Sequence, residues 1–241
     1  MTTSLLKETS TQSTSSFNFS NLNGSNGNTT PLITSGIVFI DPKVDDYQML
    51  MAGVTPGLEV VLLDDSHNGI TQITQALKGR CGLSSIHIVA HGDAGSLWLG
   101  NGLVNRHTLE QQRDDLHSWA AALVPDADIL LYGCKVGAGK TGQQFVQQLS
   151  QLVGANVAAT NNLTGSAALG GDWELEVKIG LVEASVAFGL ETLEAYNAVL
   201  TTTRVSVASD GTQGNGYSDS PSISADGRYV AFSSAASNLV S

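Results

Sequence analysis

The sequence predicts an α/β domain built on a mainly parallel sheet with helices on both faces. Short apolar runs that end in glycine or polar residues recur along the chain, and segments with apolar residues at helical spacing separate them. Strands that alternate with helices are joined by crossovers, and crossovers join parallel strands. A third observation bounds the domain: the texture changes near residues 35 and 200. Residues 1–34 form a Ser/Thr/Asn-rich leader with neither helical nor strand period, expected to be flexible because it cannot offset its ordering entropy. Residues 201–241 form a linker and a short β segment.

Within 35–200 the elements follow in order. Gly36 to Asp41 and Leu58 to Asp64 read as buried strands, with a short helix from Asp45 to Ala52 between them, ended near Gly53 and Pro56. Ser66 to Leu77 places Ile70, Ile73, Ala76 and Leu77 on one face of a helix that stops at Gly79. Ile86 to Ala90 is the next strand, followed by His91-Gly92. The Asn101-Gly102 pair marks a small hairpin. Leu109, Leu116, Trp119 and Leu123 recur as in a crossover helix over about His107 to Leu123, closed off by Pro125. Ile129 to Tyr132 is a strand that delivers Gly133-Cys134. Thr141 to Val153 is a helix, with Phe145, Val146, Leu149, Leu152 and Val153 on one side. Asn156 to Thr160 is a strand, Gly170 to Val177 alternates like a half-exposed strand, and Glu191 to Leu200 closes the domain as a short helix.

Charge and cysteine count exclude several functions. A net charge of -11 would repel nucleic acid and anionic membranes. No stretch reaches the ~20 apolar residues of a membrane span, and the N-terminus carries no signal-peptide pattern, since Leu5-Leu6 is its only apolar pair. The chain is therefore expected in the cytoplasm or exported by a route without an N-terminal signal. The two cysteines, Cys81 and Cys134, are too few for a disulfide scaffold or a cysteine-based zinc site. Cys81 precedes a strand and Cys134 follows one, so they lie at opposite sheet edges.

The chemistry-bearing residues sit where such sheets bind ligands, beyond the carboxyl ends of the strands. A thiol near a neutral imidazole can lose its proton to it and become nucleophilic, which suffices for acyl transfer. Cys134 is the candidate nucleophile and His91 the candidate base. The backbone N–H groups of Gly92 and Cys134 are the candidate oxyanion donors. Each residue also has a plainer reading, because a lone cysteine after a strand is commonly a small core residue and His-Gly is commonly a turn. Asp172 and Trp173 either line a substrate cleft or, for Trp173, pack the core edge. His87, flanked by Ile86 and Ile88, reads as a satisfied buried histidine. His67, His107 and His117 lack metal spacing, so no metal site is expected. Asp64 or Asp65 could orient His91. Cys134 to Thr141 approaches a phosphate-binding loop, but cysteine stands where its first glycine belongs.

These motifs carry a resemblance. An apolar run ending in His91-Gly92, then about 40 residues on an apolar run ending in Gly133-Cys134, resembles the caspase/hemoglobinase-like cysteine peptidases. With His91 to Gly95, Leu131 to Cys134, Val157 to Thr160 and Gly170 to Leu175, the chain resembles more narrowly domain-of-unknown-function family 4347 of bacterial surface and secreted proteins, over about residues 36–200. The resemblance implies a caspase-like parallel-sheet fold, His91 as base, Cys134 as nucleophile and export without an N-terminal signal. The residues around Cys134 depart from the Gln-Ala-Cys pattern of caspases, and no arginine-rich pocket is identifiable, so aspartate specificity is not implied. Ser224 to Phe232 resembles part of a TolB-type β-propeller repeat; a propeller needs several blades, so a single one suggests a piece of a longer protein.

The expected function is a cysteine endopeptidase or self-processing domain acting on peptide or protein substrate, its own chain included. No cofactor is called for, although calcium activation is a condition to test. A non-catalytic adhesion or assembly domain of the same fold is the alternative, and a nucleotide-binding switch is the third reading.

Overall fold

The computed structural model describes residues 35–201, 205–209, 212–224 and 229–239. The expected leader at 1–34 lies outside the described residues. The elements run β1 (Gly36–Ile40), α1 (Tyr47–Ala52), β2 (Leu58–Leu62), α2 (Gly69–Leu77), β3 (Leu83–Val89), β4 (Gly92–Asp93), β5 (Ser96–Leu99) and β6 (Gly102–Asn105). They continue with α3 (Arg106–Gln111), α4 (Arg113–Trp119), β7 (Leu123–Tyr132), α5 (Gly139–Val153), β8 (Asn156–Ala159), β9 (Val177–Ile179), α6 (Leu190–Ala195), β10 (Ser218–Ile223) and β11 (Val230–Ser234).

The central sheet has the order β2-β1-β3-β7-β8-β9. The first five strands pair in parallel and β9 is antiparallel to β8. Strand alternation sorts the apolar residues into two cores. Ile37, Phe39, Ile86, Ile88, Ile129 and Leu131 face one cluster with residues of α2, α3, α4 and α5. Val38, Ile40, Val89, Leu130 and Tyr132 face a second cluster, which holds Leu50 of α1, Trp173, Phe188 and Tyr196. β4, β5 and β6 form a separate small antiparallel sheet. Among the described residues, no helix is long and apolar enough to cross a membrane.

Local chemistry explains the departures from the predicted elements. The single helix expected over His107 to Leu123 is two helices. Asn105 caps the first, accepting hydrogen bonds from the His107 and Thr108 amides, and the break falls at Gln112. Strand β7 begins at Leu123 and runs through Pro125, where a register shift against β3 lets proline sit outside the ladder. The strand expected from Gly170 joins the central sheet only at Val177–Ile179, with an isolated bridge from Asp172 to Thr164 before it, although burial alternates from Trp173 to Glu176. The closing helix stops at Ala195: Tyr196 turns extended, Val199 forms an isolated bridge and Leu200 lies in a bend. In the C-terminal segment β10 and β11 pair antiparallel, and the Asp-Gly turn expected between them lies outside the described residues.

Candidate functional site

The strand order reverses between β1 and β3, because the chain proceeds outward from β1 to β2 on one side and from β3 to β7, β8 and β9 on the other. Such a switch point opens a crevice beyond the carboxyl ends of the strands. Val89 and Tyr132 are register partners, and His91 and Cys134 each follow two residues later. Equal offsets from a paired rung bring the two chain segments to one edge.

His91 is half-buried, and its Nε2 lies 2.8 Å from the Lys43 carbonyl oxygen. A carbonyl only accepts, so Nε2 carries the proton and the neutral ring keeps its lone pair on Nδ1. That Nδ1 is buried, without a hydrogen-bond partner among the described residues. The carbonyl that holds it is itself fixed. Asp41, 1 % exposed, accepts the Lys43 amide at 2.9 Å through one carboxylate oxygen and the Gly100 amide at 2.6 Å through the other. Lys43 Nζ then donates to the Gly100 carbonyl at 2.7 Å. Neither Asp64 nor Asp65 orients the ring: Asp64 accepts from Ser66 and pairs with exposed His67. A backbone acceptor has no side-chain signature, so sequence reasoning had no signal for Lys43.

Cys134 is fully buried. Its sulfur accepts the Thr164 amide at 3.2 Å and lies 3.7 Å from the Thr164 carbonyl oxygen. Burial pushes the thiol pKa up, and the Thr164 amide and the Lys135 charge offset this only in part. The resting thiol is neutral. Lys135, next in sequence, adopts the left-handed φ of 61°, a strained conformation for a non-glycine residue.

The two nominated backbone donors converge on a single atom. The Gly92 amide donates to the Leu200 carbonyl oxygen at 3.1 Å, and the Cys134 amide donates to the same oxygen at 3.0 Å. Peptide planarity explains their aim, since a trans peptide points its C=O and N–H in opposite directions. The Gly133 carbonyl, which shares a peptide plane with the Cys134 amide, is held by Thr160 Oγ1 at 2.8 Å. The His91 carbonyl, which shares a plane with the Gly92 amide, is held by the Trp98 amide at 2.9 Å. Anchoring each carbonyl turns each amide toward Leu200.

At this edge the matching family model, described as Domain of unknown function (DUF4347), spans residues 37–200. The chain belongs to that family. No curated protein matches the chain. In this DUF4347 domain, the matched region ends at the residue whose carbonyl the two amides hold.

Other predicted residues sit elsewhere. Asp172 braces its own loop, accepting the Asn162 side chain at 2.8 Å and the Glu174 amide at 2.9 Å. Trp173 packs edge-on against Phe188 and Tyr196 in the second core. Part of its surface lines a cavity of about 480 Å³ with Leu130, Ala158 and Val186, whose lining includes neither His91 nor Cys134. His87 is buried, as the sequence indicated, between Tyr132 Oη at 3.1 Å and Ser85 Oγ at 2.9 Å. Both cysteines are free, Cys81 exposed and Cys134 buried. The loop that approaches a phosphate-binding motif spends its amides internally. Lys135 donates to Asn162 and Gly137 to Thr160, each at 2.7 Å, and Ala138 donates to Lys135 at 2.8 Å. A phosphate cradle needs those same N–H groups free.

Proposed function

We propose that this DUF4347 domain is a cysteine endopeptidase of caspase-like architecture. The observation that carries the reading is the convergence of the Gly92 and Cys134 amides on one carbonyl oxygen beside a thiol. Two preorganised N–H donors on a carbonyl are what stabilises the oxyanion of acyl transfer. In the proposed mechanism His91 Nδ1 takes the Cys134 proton, the thiolate attacks the peptide carbonyl carbon, and the oxyanion forms between the two amides. His91 then protonates the leaving amine, and water hydrolyses the thioester. The tautomer set by Lys43 supports this role for Nδ1. The order of five parallel strands with an antiparallel edge, and the placement of histidine and cysteine after neighbouring strands, support the architecture. The β10–β11 pair is compatible with part of a TolB-type repeat, and we propose that the domain works on a secreted or surface polypeptide.

The direct test is labelling by a peptidyl chloromethyl ketone, read by peptide mapping in a Cys81→Ser background because Cys81 is free and exposed. Label is expected at Cys134 and nowhere in Cys134→Ala, with and without calcium compared. A Cys134 that stays unmodified while a peptide library stays uncut would leave the non-catalytic adhesion reading in possession.

Thr160 is a positioning residue in this scheme, since its hydroxyl aims the Cys134 amide through the Gly133 carbonyl. Thr160→Val is expected to lower kcat by up to about 100-fold, near the cost of one oxyanion donor, with KM little changed. Thr160→Ser, which restores the hydroxyl, should recover most of the rate. Equal loss in both variants would assign Thr160 a packing role only.

A further inference from the structure

We infer that the Leu200–Thr201 peptide bond of this chain is the domain's own cleavage site. The inference rests on the peptidase reading above and adds its substrate. Residues 198–200 do not merely pass the site; they are bound along it as an added antiparallel strand. The Ser166 amide donates to the Ala198 carbonyl at 2.8 Å, and the Leu200 amide donates to the Thr164 carbonyl at 2.9 Å. Gly165 and Val199 bridge antiparallel between these bonds. This main-chain pairing is how an extended peptide is recognised at a sheet-like edge, with a pocket for an alternate side chain supplying selectivity.

The pocket is occupied by leucine. Leu200 is fully buried in the apolar cluster that contains Val44, Tyr132, Trp173 and Tyr196. Beyond it the chain turns sharply, with the Thr201 amide donating to the Val199 carbonyl at 2.8 Å and Thr201 bridging to Gly92. The turn centres on Leu200, and its carbonyl is the one that the Gly92 and Cys134 amides hold. Thr164, which pairs with the Leu200 amide, also donates its own amide to the Cys134 sulfur. One backbone residue thus registers the peptide against the nucleophile. Gly165 has a φ of +128°, and a Cβ there would collide with the Ala198 carbonyl, so glycine is required for the strand to lie this close.

The chemistry balances without a co-reactant other than water. The Cys134 proton passes to His91 Nδ1 as the sulfur bonds to the Leu200 carbonyl carbon. The C–N bond to Thr201 breaks, and its nitrogen leaves with the proton from His91 as a new amino terminus. Water then adds its hydroxyl to the Leu200 acyl carbon and returns a proton to the sulfur. The products are one fragment ending in a Leu200 carboxylate and another beginning at Thr201.

The test follows the full chain by intact mass and amino-terminal sequencing, in wild type, Cys134→Ala and Thr201→Pro, with Leu200→Asp as a fourth chain and circular dichroism on each. The wild type is expected to yield a Thr201 amino terminus. Cys134→Ala and Thr201→Pro are expected to stay intact, the latter without change to any core side chain. Leu200→Asp is expected to stay intact and to label at Cys134 with a leucyl chloromethyl ketone, because aspartate vacates the apolar pocket. Three outcomes would overturn the inference: an uncut wild type, a Cys134-dependent cut at another bond, or an amino terminus at residue 201 that persists in Cys134→Ala or Thr201→Pro. If Cys134 labels in wild type or in Leu200→Asp while the wild-type chain stays whole, the peptidase reading survives without this site. Absence of both cut and label removes both.

Discussion

His91→Ala is expected to reduce peptide hydrolysis, or Cys134 acylation by a peptide electrophile, by about 10²–10⁴-fold, the usual contribution of a positioned general base. Burial holds the Cys134 pKa above its ordinary value, so at neutral pH the sulfur is protonated and a poor nucleophile. His91 Nδ1 carries the lone pair that could remove the proton, because Nε2 is committed to the Lys43 carbonyl. Without that base, thiolate must form by equilibrium with solvent. The rate of His91→Ala should then climb about tenfold per pH unit between pH 7 and 9, as the fraction of thiolate below its pKa does, while the wild-type rate should not. A variant that labels at the wild-type rate at pH 7 would remove His91 from the mechanism.

Acid is expected to destabilise the domain through His87, a residue with no part in the proposed chemistry. The Ala187 amide donates to Tyr132 Oη at 3.1 Å, and His87 Nδ1, 3.1 Å from that hydroxyl, is the acceptor open to its O–H, which assigns the ring proton to Nε2, 2.9 Å from Ser85 Oγ. This chain satisfies the neutral ring, whereas a proton on Nδ1 would take away the acceptor of the Tyr132 hydroxyl and bury a charge. Burial lowers the His87 pKa from 6.5 to about 4, against a smaller opposing pull from Asp128. The sign follows from linkage: the unfolded state binds the proton more tightly, so stability is present above pH 6.5 and is lost as pH falls toward 4. A displacement from 6.5 to about 4 corresponds to about 3 kcal/mol. Urea unfolding of wild type and His87→Gln at pH 7 and pH 4 should show that much more acid loss in wild type. Parallel pH dependence of the two proteins would show that the ring is protonated within the fold at little cost.

The pattern of short apolar runs and 3.6-residue periodicity was enough to read the α/β class and most elements. It was also enough to place the segments that carry His91 and Cys134 after two strands at one sheet edge, which the β3–β7 register shows. Buried His87 was legible from the same pattern, as a polar residue alternating between isoleucines within a strand. Boundaries shifted where local hydrogen bonding outweighed period, at the Asn105 cap, at the Pro125 register shift and after Ala195.

What only the tertiary structure decided lies in the backbone. The Lys43 carbonyl that selects the His91 tautomer, the Thr160 hydroxyl that turns the Cys134 amide, and the Leu200 carbonyl that receives two amides are contacts between segments far apart in sequence. Peptide groups are the same in every residue, so nothing in the letters marks which of them will meet. Leu200 shows the limit most plainly: the sequence reads it as the last residue of a short helix from Glu191. Burial in the second core and pairing of its amide with the Thr164 carbonyl instead hold it in a turn at the site.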